Sequence, residues 1–460
     1  MVIYIGCLAG LLPGRADDDG KALRALFDER VSTVVIVEFF IQHEIEREPV
    51  VTVGLVRDDE GHVVLLEQAI PLWIRPDRLR DFKIRPLGRV EGEGWPAEYR
   101  GQSHRSGFHF VQVDSGHREA LTPITRFTVR SPQVADGLWG IGIMPEDFEY
   151  QPYLLTARLG LRQALPWQVG FTQHPVASPG APVFTTTGDF AGWAGRPITQ
   201  EKVLFMGSER YTVGIQPVQE SAAFLLAEEF LRYSEHIPAS PLENNRPWLG
   251  VAGLQPVDRE VARFLKLEDQ SALVVSDVIK GSPAADASLR SRDIIVAVDG
   301  QRLPRLRPAA VAVRYFDLIM GQKMIGDKLE LTVLREGKEV PVEVTLVRSP
   351  RSLKEAVREY FPRLGFSVRE FLLFDNINQR LLTLELAEGV IVEFVRNNSP
   401  VSAAGLQPGD WIKEIDGRAI VDLDEAAGLL EAIDKDSSRR DLVILISRNN
   451  ETKVLRAKLD

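Results

Sequence analysis

One segment of this chain occurs twice. Residues 282–300 read SPAADASLRSRDIIVAVDG and residues 399–417 read SPVSAAGLQPGDWIKEIDG; Ser282 to Ser399 and Asp299 to Asp416 both span 117 positions, so the copies align without a gap. A long gapless repeat means one folding unit built twice. An apolar strand precedes each copy, Ala272 to Val275 in one and Gly389 to Val392 in the other. A loop, a helix and two alternating strands follow each, the strands joined at Glu336-Gly337-Lys338 and at Asn449-Asn450.

The repeated element is legible residue by residue. Ser-Pro opens a short helix, serine as N-cap and proline in the first helical position. Gly405 suits a left-handed helix end and Pro408-Gly409 a tight turn, whereas the first copy carries Ser288 and Arg292 at the equivalent places. Its turns are therefore expected to be strained or slightly remodelled.

These residues resemble the PDZ domains of the HtrA/Deg family of serine proteases. The resemblance implies a carboxylate-binding loop at Leu249, Gly250 and Val251, and a second at Leu364, Gly365 and Phe366. There, backbone N–H groups converge on a chain terminus and the following strand offers an edge for β-augmentation. Val311, Tyr315 and Leu318 are expected to line the first side-chain pocket, and Ala426, Leu430 and Ile433 the second. All but Tyr315 are purely apolar, so the expected ligand is a protein C-terminus with a hydrophobic last residue, or an unfolded segment. Residues 236–247 read as the linker into the first module, and Ser352 with Glu355 forms a capping-box pattern expected to open a helix running to Tyr360.

The region from residue 30 to 216 is rich in short β-type runs, with helical periodicity confined to Lys21 to Phe27 and Ser221 to Tyr233. The resemblance implies a trypsin-like double β-barrel here, so the fold class is mainly β: a degenerate trypsin-like double barrel followed by two α+β PDZ domains. The expected domains are a leader at 1–16, the barrel domain at 17–237, and PDZ modules at 238–350 and 351–460.

Each catalytic motif of the family has a counterpart without its reactive residue. Gly61 to Ile70 matches the histidine motif with Gln68 in place of the base. Arg105 to Val111 matches the aspartate motif with Gly107 in place of the acid, and Ala177 to Val183 matches the nucleophile motif with Pro179 in place of the serine. Glutamine cannot take a proton near neutrality, glycine cannot orient an imidazole, and proline lacks both hydroxyl and oxyanion-donating N–H. The chain is thus expected to be a pseudoprotease. An active endopeptidase with a relocated triad, built on Ser178 with His62 or His109, stays open beside it, as does an adaptor joining two dedicated partners.

Composition sets the remaining bounds. At 460 residues about three domains are expected. A dispersed net charge of -10 argues against nucleic acid as a partner. One cysteine, Cys7, excludes disulfides within the chain and cysteine-based metal clusters. No metal or other cofactor is called for; His104 and His109 lack further ligands at a recognised spacing. Residues 2–13 are apolar but too short to span a bilayer, and with Gly14-Arg15-Ala16 they read as a secretory signal peptide and its cleavage site. A lipobox ending at Cys7 and a buried N-terminal strand are the other readings. Export to a periplasmic or other extracytoplasmic space is therefore expected, and the resemblance adds homo-oligomerisation, as trimers or larger.

Overall fold

A computed structural model of the chain describes residues 14–71, 73–88, 93–195, 201–205 and 215–459. It divides into two compact units: residues 1–40, 49–70 and 79–241, and residues 41–48, 71–78 and 242–460. The leader-like residues 1–13 lie outside the described residues, and residues 14–16 enter helix α1 (Gly14–Arg30).

Two closed six-stranded barrels follow, the trypsin-like double barrel expected. The first comprises β1 (Val34–Gln42), β2 (Arg47–Val56), β3 (His62–Leu65), β4 (Leu79–Pro86), β5 (Trp95–Gln102) and β6 (His109–Val113), closed in the order β1-β2-β3-β6-β5-β4. The second comprises β7 (Gly137–Ile143), β8 (Pro152–Gln163), β9 (Val169–Thr172), β10 (Pro182–Thr185), β11 (Phe190–Ala194) and β14 (Ala223–Leu226), closed in the order β7-β8-β9-β14-β11-β10. Between β11 and β14, β12 (Glu201–Phe205) and β13 (Ile215–Gln219) pair with each other. One apolar cluster joins the barrels, with Leu55, Val64 and Phe110 from the first and Trp139, Phe184 and Trp193 from the second. Burial on this scale, at about 25 cal/mol per Å², is the main force holding the two barrels as one body.

The helix expected over Ser221 to Tyr233 is shorter, because residues 223–226 form β14 and α2 begins at Ala227 (Ala227–Ser234). Phe224 and Leu226 pair with Gly170 and Gly192, two positions with no side chain to obstruct them. Barrel closure thus overrides local helical pattern.

The first PDZ module contains β15 (Pro247–Trp248), β16 (Leu254–Pro256), α3 (Arg259–Phe264), β17 (Leu273–Val275), α4 (Pro283–Asp286), β18 (Ile294–Val298), β19 (Gln301–Arg302), α5 (Val311–Gln322), β20 (Lys328–Arg335), β21 (Lys338–Thr345) and β22 (Val347–Arg348). Its sheet runs β16-β17-β18-β20-β21, with β16 at the edge, while β15 pairs with β22. The second contains β23 (Arg358–Phe361), β24 (Phe366–Glu370), α6 (Leu373–Asn378), β25 (Val390–Val395), α7 (Pro400–Ala403), β26 (Trp411–Ile415), β27 (Arg418–Ala419), α8 (Leu423–Lys435), β28 (Asp441–Arg448) and β29 (Glu451–Lys458). Its sheet begins one strand earlier: β23-β24-β25-β26-β28-β29.

The repeat builds the same device in both. Ser282 and Ser399 accept the N–H groups of Ala285 and Ser402, capping α4 and α7. Arg335 makes two hydrogen bonds to Asp293 and a third to the Ser288 carbonyl, and Arg448 does the same with Asp410 and Gly405. Ser288 and Arg292 stand at φ +61° and +70°, in the left-handed region where the second copy uses Gly405 and Gly409. That is the strained turn expected from the sequence. The modules touch through a short parallel bridge, in which Lys280 donates to the Leu382 carbonyl at 2.8 Å and accepts from the Leu384 N–H at 3.2 Å.

Only half of the expected capping box forms: the Ser352 N–H and Oγ both donate to Glu355 Oε2 at 2.8 Å, while the Glu355 N–H donates to the Ser352 carbonyl rather than to its hydroxyl. The helix expected to follow is absent: only a turn forms at residues 353–355, and Arg358–Phe361 is strand β23. A helix of about two turns still carries the full nucleation cost, and pairing with β24 offers these residues more.

Candidate functional site

In the barrel unit, the segments bearing Gln68, Gly107 and Pro179, the positions matched to a protease triad in the sequence, are physically linked. Gln68 lies exposed in a one-turn 3-10 helix, Glu67–Ala69, just past the end of β3. Gly107 stands at φ +77° in the turn before β6, and an added Cβ there would meet the Glu67 carboxyl carbon at 3.0 Å. Glu67 therefore closes the space that an aspartate side chain at 107 would enter. The Glu67 carbonyl also stands 3.1 Å from His109 Nε2. Next to Gly107, Phe108 packs edge-on to Trp193 with ring centroids 4.9 Å apart, and Trp193 Nε1 donates to the Gly180 carbonyl at 2.7 Å. Gly180 adjoins Pro179, which is half-buried in the loop before β10. The three segments that the sequence matched to triad motifs thus meet here, bearing glutamine, glycine and proline.

The side chains of the relocated-triad reading have other duties. Ser178 is buried; its Oγ accepts the Ile143 N–H at 2.9 Å and donates to the Gln219 carbonyl at 3.1 Å. His109 is fully buried in β6. Because Glu67 offers it a carbonyl, Nε2 carries the proton, and Nδ1 then accepts from the Tyr99 hydroxyl at 2.8 Å. Burial pushes the Tyr99 pKa far up, keeping the phenol protonated as that donor. His62, at the start of β3, pairs through Nδ1 with Asp58 Oδ2 at 2.9 Å. Among the described residues no group of His, Cys, Asp or Glu is arranged to hold a metal ion. His104 instead lies edge-to-face with His236, ring centroids 5.4 Å apart.

In the first PDZ module the expected loop is open. Gly250 adopts φ +95°, and its bare Cα fits where a Cβ would stand 2.3 Å from Ser282 Cβ. Its carbonyl accepts from Ile279 N–H and Ser282 Oγ, both at 3.0 Å, and Leu249 accepts from Ala284 N–H at 2.9 Å. With the carbonyls turned inward, the N–H groups of Leu249, Gly250 and Val251 make no backbone hydrogen bond among the described residues. Beyond the loop, β16 has no strand partner among the described residues on the side away from β17. On α5, Val311, Tyr315 and Leu318 are half-buried, whereas Ala312 and Phe316 are buried in the core. The latter two, four positions apart on one face of the helix, were not singled out in the sequence.

At the far end of β16 a cavity of about 520 Å³ opens between α3 and the start of α5. Pro256, Leu306 and Ala312 supply apolar wall, and Arg259, Arg263, Arg305 and Arg307 supply charge against the single carboxylate of Glu268.

The second module presents the equivalent loop differently. Gly365 has φ +79° and the same close approach, its Cβ position 2.4 Å from Ser399 Cβ. Leu364 N–H donates to Asp434 Oδ1 at 2.8 Å and Gly365 N–H to the Phe361 carbonyl at 2.7 Å. Phe366 pairs with Phe361 on one side and Val395 on the other. Ala426, Leu430 and Ile433 are buried in one cluster with Phe361.

A PDZ domain family matches the chain twice, over residues 249–346 and 362–459. Among curated proteins, the chain is similar to proteins described as probable periplasmic serine endoprotease DegP-like. The one from Chlamydia trachomatis serovar D is 29% identical over 215 residues, covering 47% of this chain and 40% of the relative. The one from Marinomonas sp. (strain MWYL1) is 31% identical over 191 residues, covering 41% and 38%. The chain spans about two fifths of the length of these relatives. Among solved structures, the HtrA-type protease AlgW with tripeptide matches 72% of this chain and 98% of its own, with TM-score 0.50 at 16% identity, a likeness of fold.

Proposed function

Because the chain is a member of the HtrA/Deg-type serine protease family, we propose that it is an exported, non-catalytic member that captures polypeptide C-termini or unfolded segments through its PDZ tandem. The relatives are described as periplasmic, and that compartment is the one proposed here. The barrel unit then serves as scaffold and assembly platform of a homo-oligomeric chaperone. No helix among the described residues is long and apolar enough to cross a membrane.

A single observation carries the non-catalytic reading. Gln68, Gly107 and Pro179 sit on segments tied together through Glu67, Phe108, Trp193 and Gly180, so the frame of a protease cleft is present while its reactive groups are not. Without a base, an acid or a hydroxyl, and with no N–H at Pro179 to steady an oxyanion, acyl transfer lacks each of its parts. Treatment with a fluorophosphonate probe, alongside casein as substrate, tests this. No serine should be labelled and no casein cleaved; labelling together with turnover would overturn the reading.

The open loop at Leu249, Gly250 and Val251 supports binding by the first module. A C-terminal carboxylate fits its unengaged N–H groups, a hydrophobic last side chain fits against α5, and the upstream residues extend β16's sheet. Those upstream residues run toward the arginine-rich cavity, which favours clients with acidic residues several positions before their end.

A further inference from the structure

We infer that the second PDZ module is liganded in cis: strand β23 occupies its peptide groove, with Phe361 as the anchoring residue, so that free chain ends are taken by the first module alone. The inference rests on reading the tandem as peptide-binding.

The two glycine loops are chemically equivalent. Gly250 and Gly365 share a positive φ, the same tight approach to a serine, and a carbonyl that accepts from the matching residues Ile279 and Arg396. The difference lies upstream. In the first module the preceding residues form β15 and leave with β22, and the outer edge of β16 has no strand partner among the described residues. In the second they fold back as β23 along the outer edge of β24, pairing Arg358 with Arg369, Glu359 with Val368, Tyr360 with Ser367 and Phe361 with Phe366. β24 is thereby paired on both edges.

β23 imitates a bound terminus in each particular. It runs antiparallel to β24 and reaches the glycine loop with its last residue, the direction and end a C-terminal ligand takes. Phe361 is buried against Phe366 and in one cluster with Leu364, Leu430 and Ile433, the place of a hydrophobic terminal side chain. Its carbonyl receives the Gly365 N–H, and Asp434 supplies a carboxylate to the Leu364 N–H. Arg363, on the turn between, donates to the carbonyls of Ile433, Asp436 and Arg439 and ties the turn to the end of α8. At the other end of the strap, Glu370 N–H bonds the Val357 carbonyl at 3.1 Å and Arg351 pairs with the Glu370 carboxylate at 2.7 Å.

Peptide stoichiometry tests this, with a synthetic copy of residues 352–361 ending in a free Phe361 carboxylate as the probe and calorimetry as the readout. Three full-length proteins are compared: wild type, a locked form carrying Tyr360→Cys with Ser367→Cys, and a released form carrying Glu359→Pro with Phe361→Ser. The locked pair should oxidise readily because the two residues lie directly opposite each other. Wild type and locked protein should each bind one peptide per chain, and the released form two. A wild type that binds two peptides and drops to one on oxidation of the locked pair would overturn the inference. So would a released form that stays at one while amide protection shows its second module folded. Should the released module unfold, the comparison of wild type with locked protein decides alone. A chain that binds no peptide until the strap is released would sink the first-module reading and leave the cis ligand standing.

Discussion

Phe361 lies directly opposite Phe366 across a four-residue turn, their rings tilted at 47° with centroids 5.7 Å apart. One pair thus closes a β-hairpin and plugs an apolar groove. Truncation at Phe361 deletes a ring that is only 4% exposed from the cluster of the second module. Phe361→Ala is expected to lower the stability of that unit by about 3–5 kcal/mol, as large aromatic deletions in cores do. Urea unfolding followed by tryptophan fluorescence would show it; a loss below about 1 kcal/mol would mean that the ring contributes little.

Placing histidine, aspartate and serine at positions 68, 107 and 179 should not confer proteolysis. Gly107 occupies a left-handed turn with the Glu67 carboxyl against its open side. Gly107→Asp therefore strains the backbone and collides with a like charge. The combined Gln68→His, Gly107→Asp, Pro179→Ser protein is expected to melt at lower temperature than wild type and to resist fluorophosphonate labelling. Stoichiometric labelling would show that the cleft tolerates the substitutions.

Asp58 gives the barrel unit a specific acid sensitivity. Burial alone would raise its pKa, but hydrogen bonds from the His62 ring and backbone, with the charges of His62 and Arg57, outweigh that and hold it below 3.8. A carboxylate with a lowered folded-state pKa stabilises the fold above its unfolded value and loses that contribution as pH falls through the folded one. Melting temperature should therefore drop more steeply below about pH 4 in wild type than in Asp58→Asn, which should be less stable at pH 7. Parallel curves for the two proteins would remove Asp58 from the account.

The arginine-rich cavity should discriminate between peptides. With Arg305→Glu and Arg307→Glu together, a probe with acidic residues upstream of a hydrophobic terminus should bind roughly 3- to 10-fold more weakly at low salt, the gap narrowing near 0.5 M as exposed charges are screened. A probe with neutral upstream residues should be little affected. Equal losses for both probes would mean that the substitutions disturb the fold.

Much of this was legible in the sequence because it is written in local signals. Ser-Pro caps, paired glycines and alternating strands announced both PDZ modules, and Ser288 and Arg292 announced their strained turns. The barrel strands were visible as short β runs, yet the duties of Ser178 and His109 were not, since each depends on backbone groups supplied from distant strands. The pairing of Ser352 with Glu355 was legible as a bond from the Ser352 N–H to the Glu355 carboxylate, but the reciprocal half of the cap and the helix beyond it do not form. What turned residues 358–361 into a strand was an empty sheet edge, and no periodicity encodes that.

The bridge at Lys280 has a mechanical meaning. A hinge between the two modules would have to break two backbone hydrogen bonds, from the Lys280 N–H to the Leu382 carbonyl and from the Leu384 N–H to the Lys280 carbonyl. The pair should therefore tumble as one rigid particle. A client seated in the first groove is then held at a constant distance from the surface of its neighbour, as on a fixed ruler.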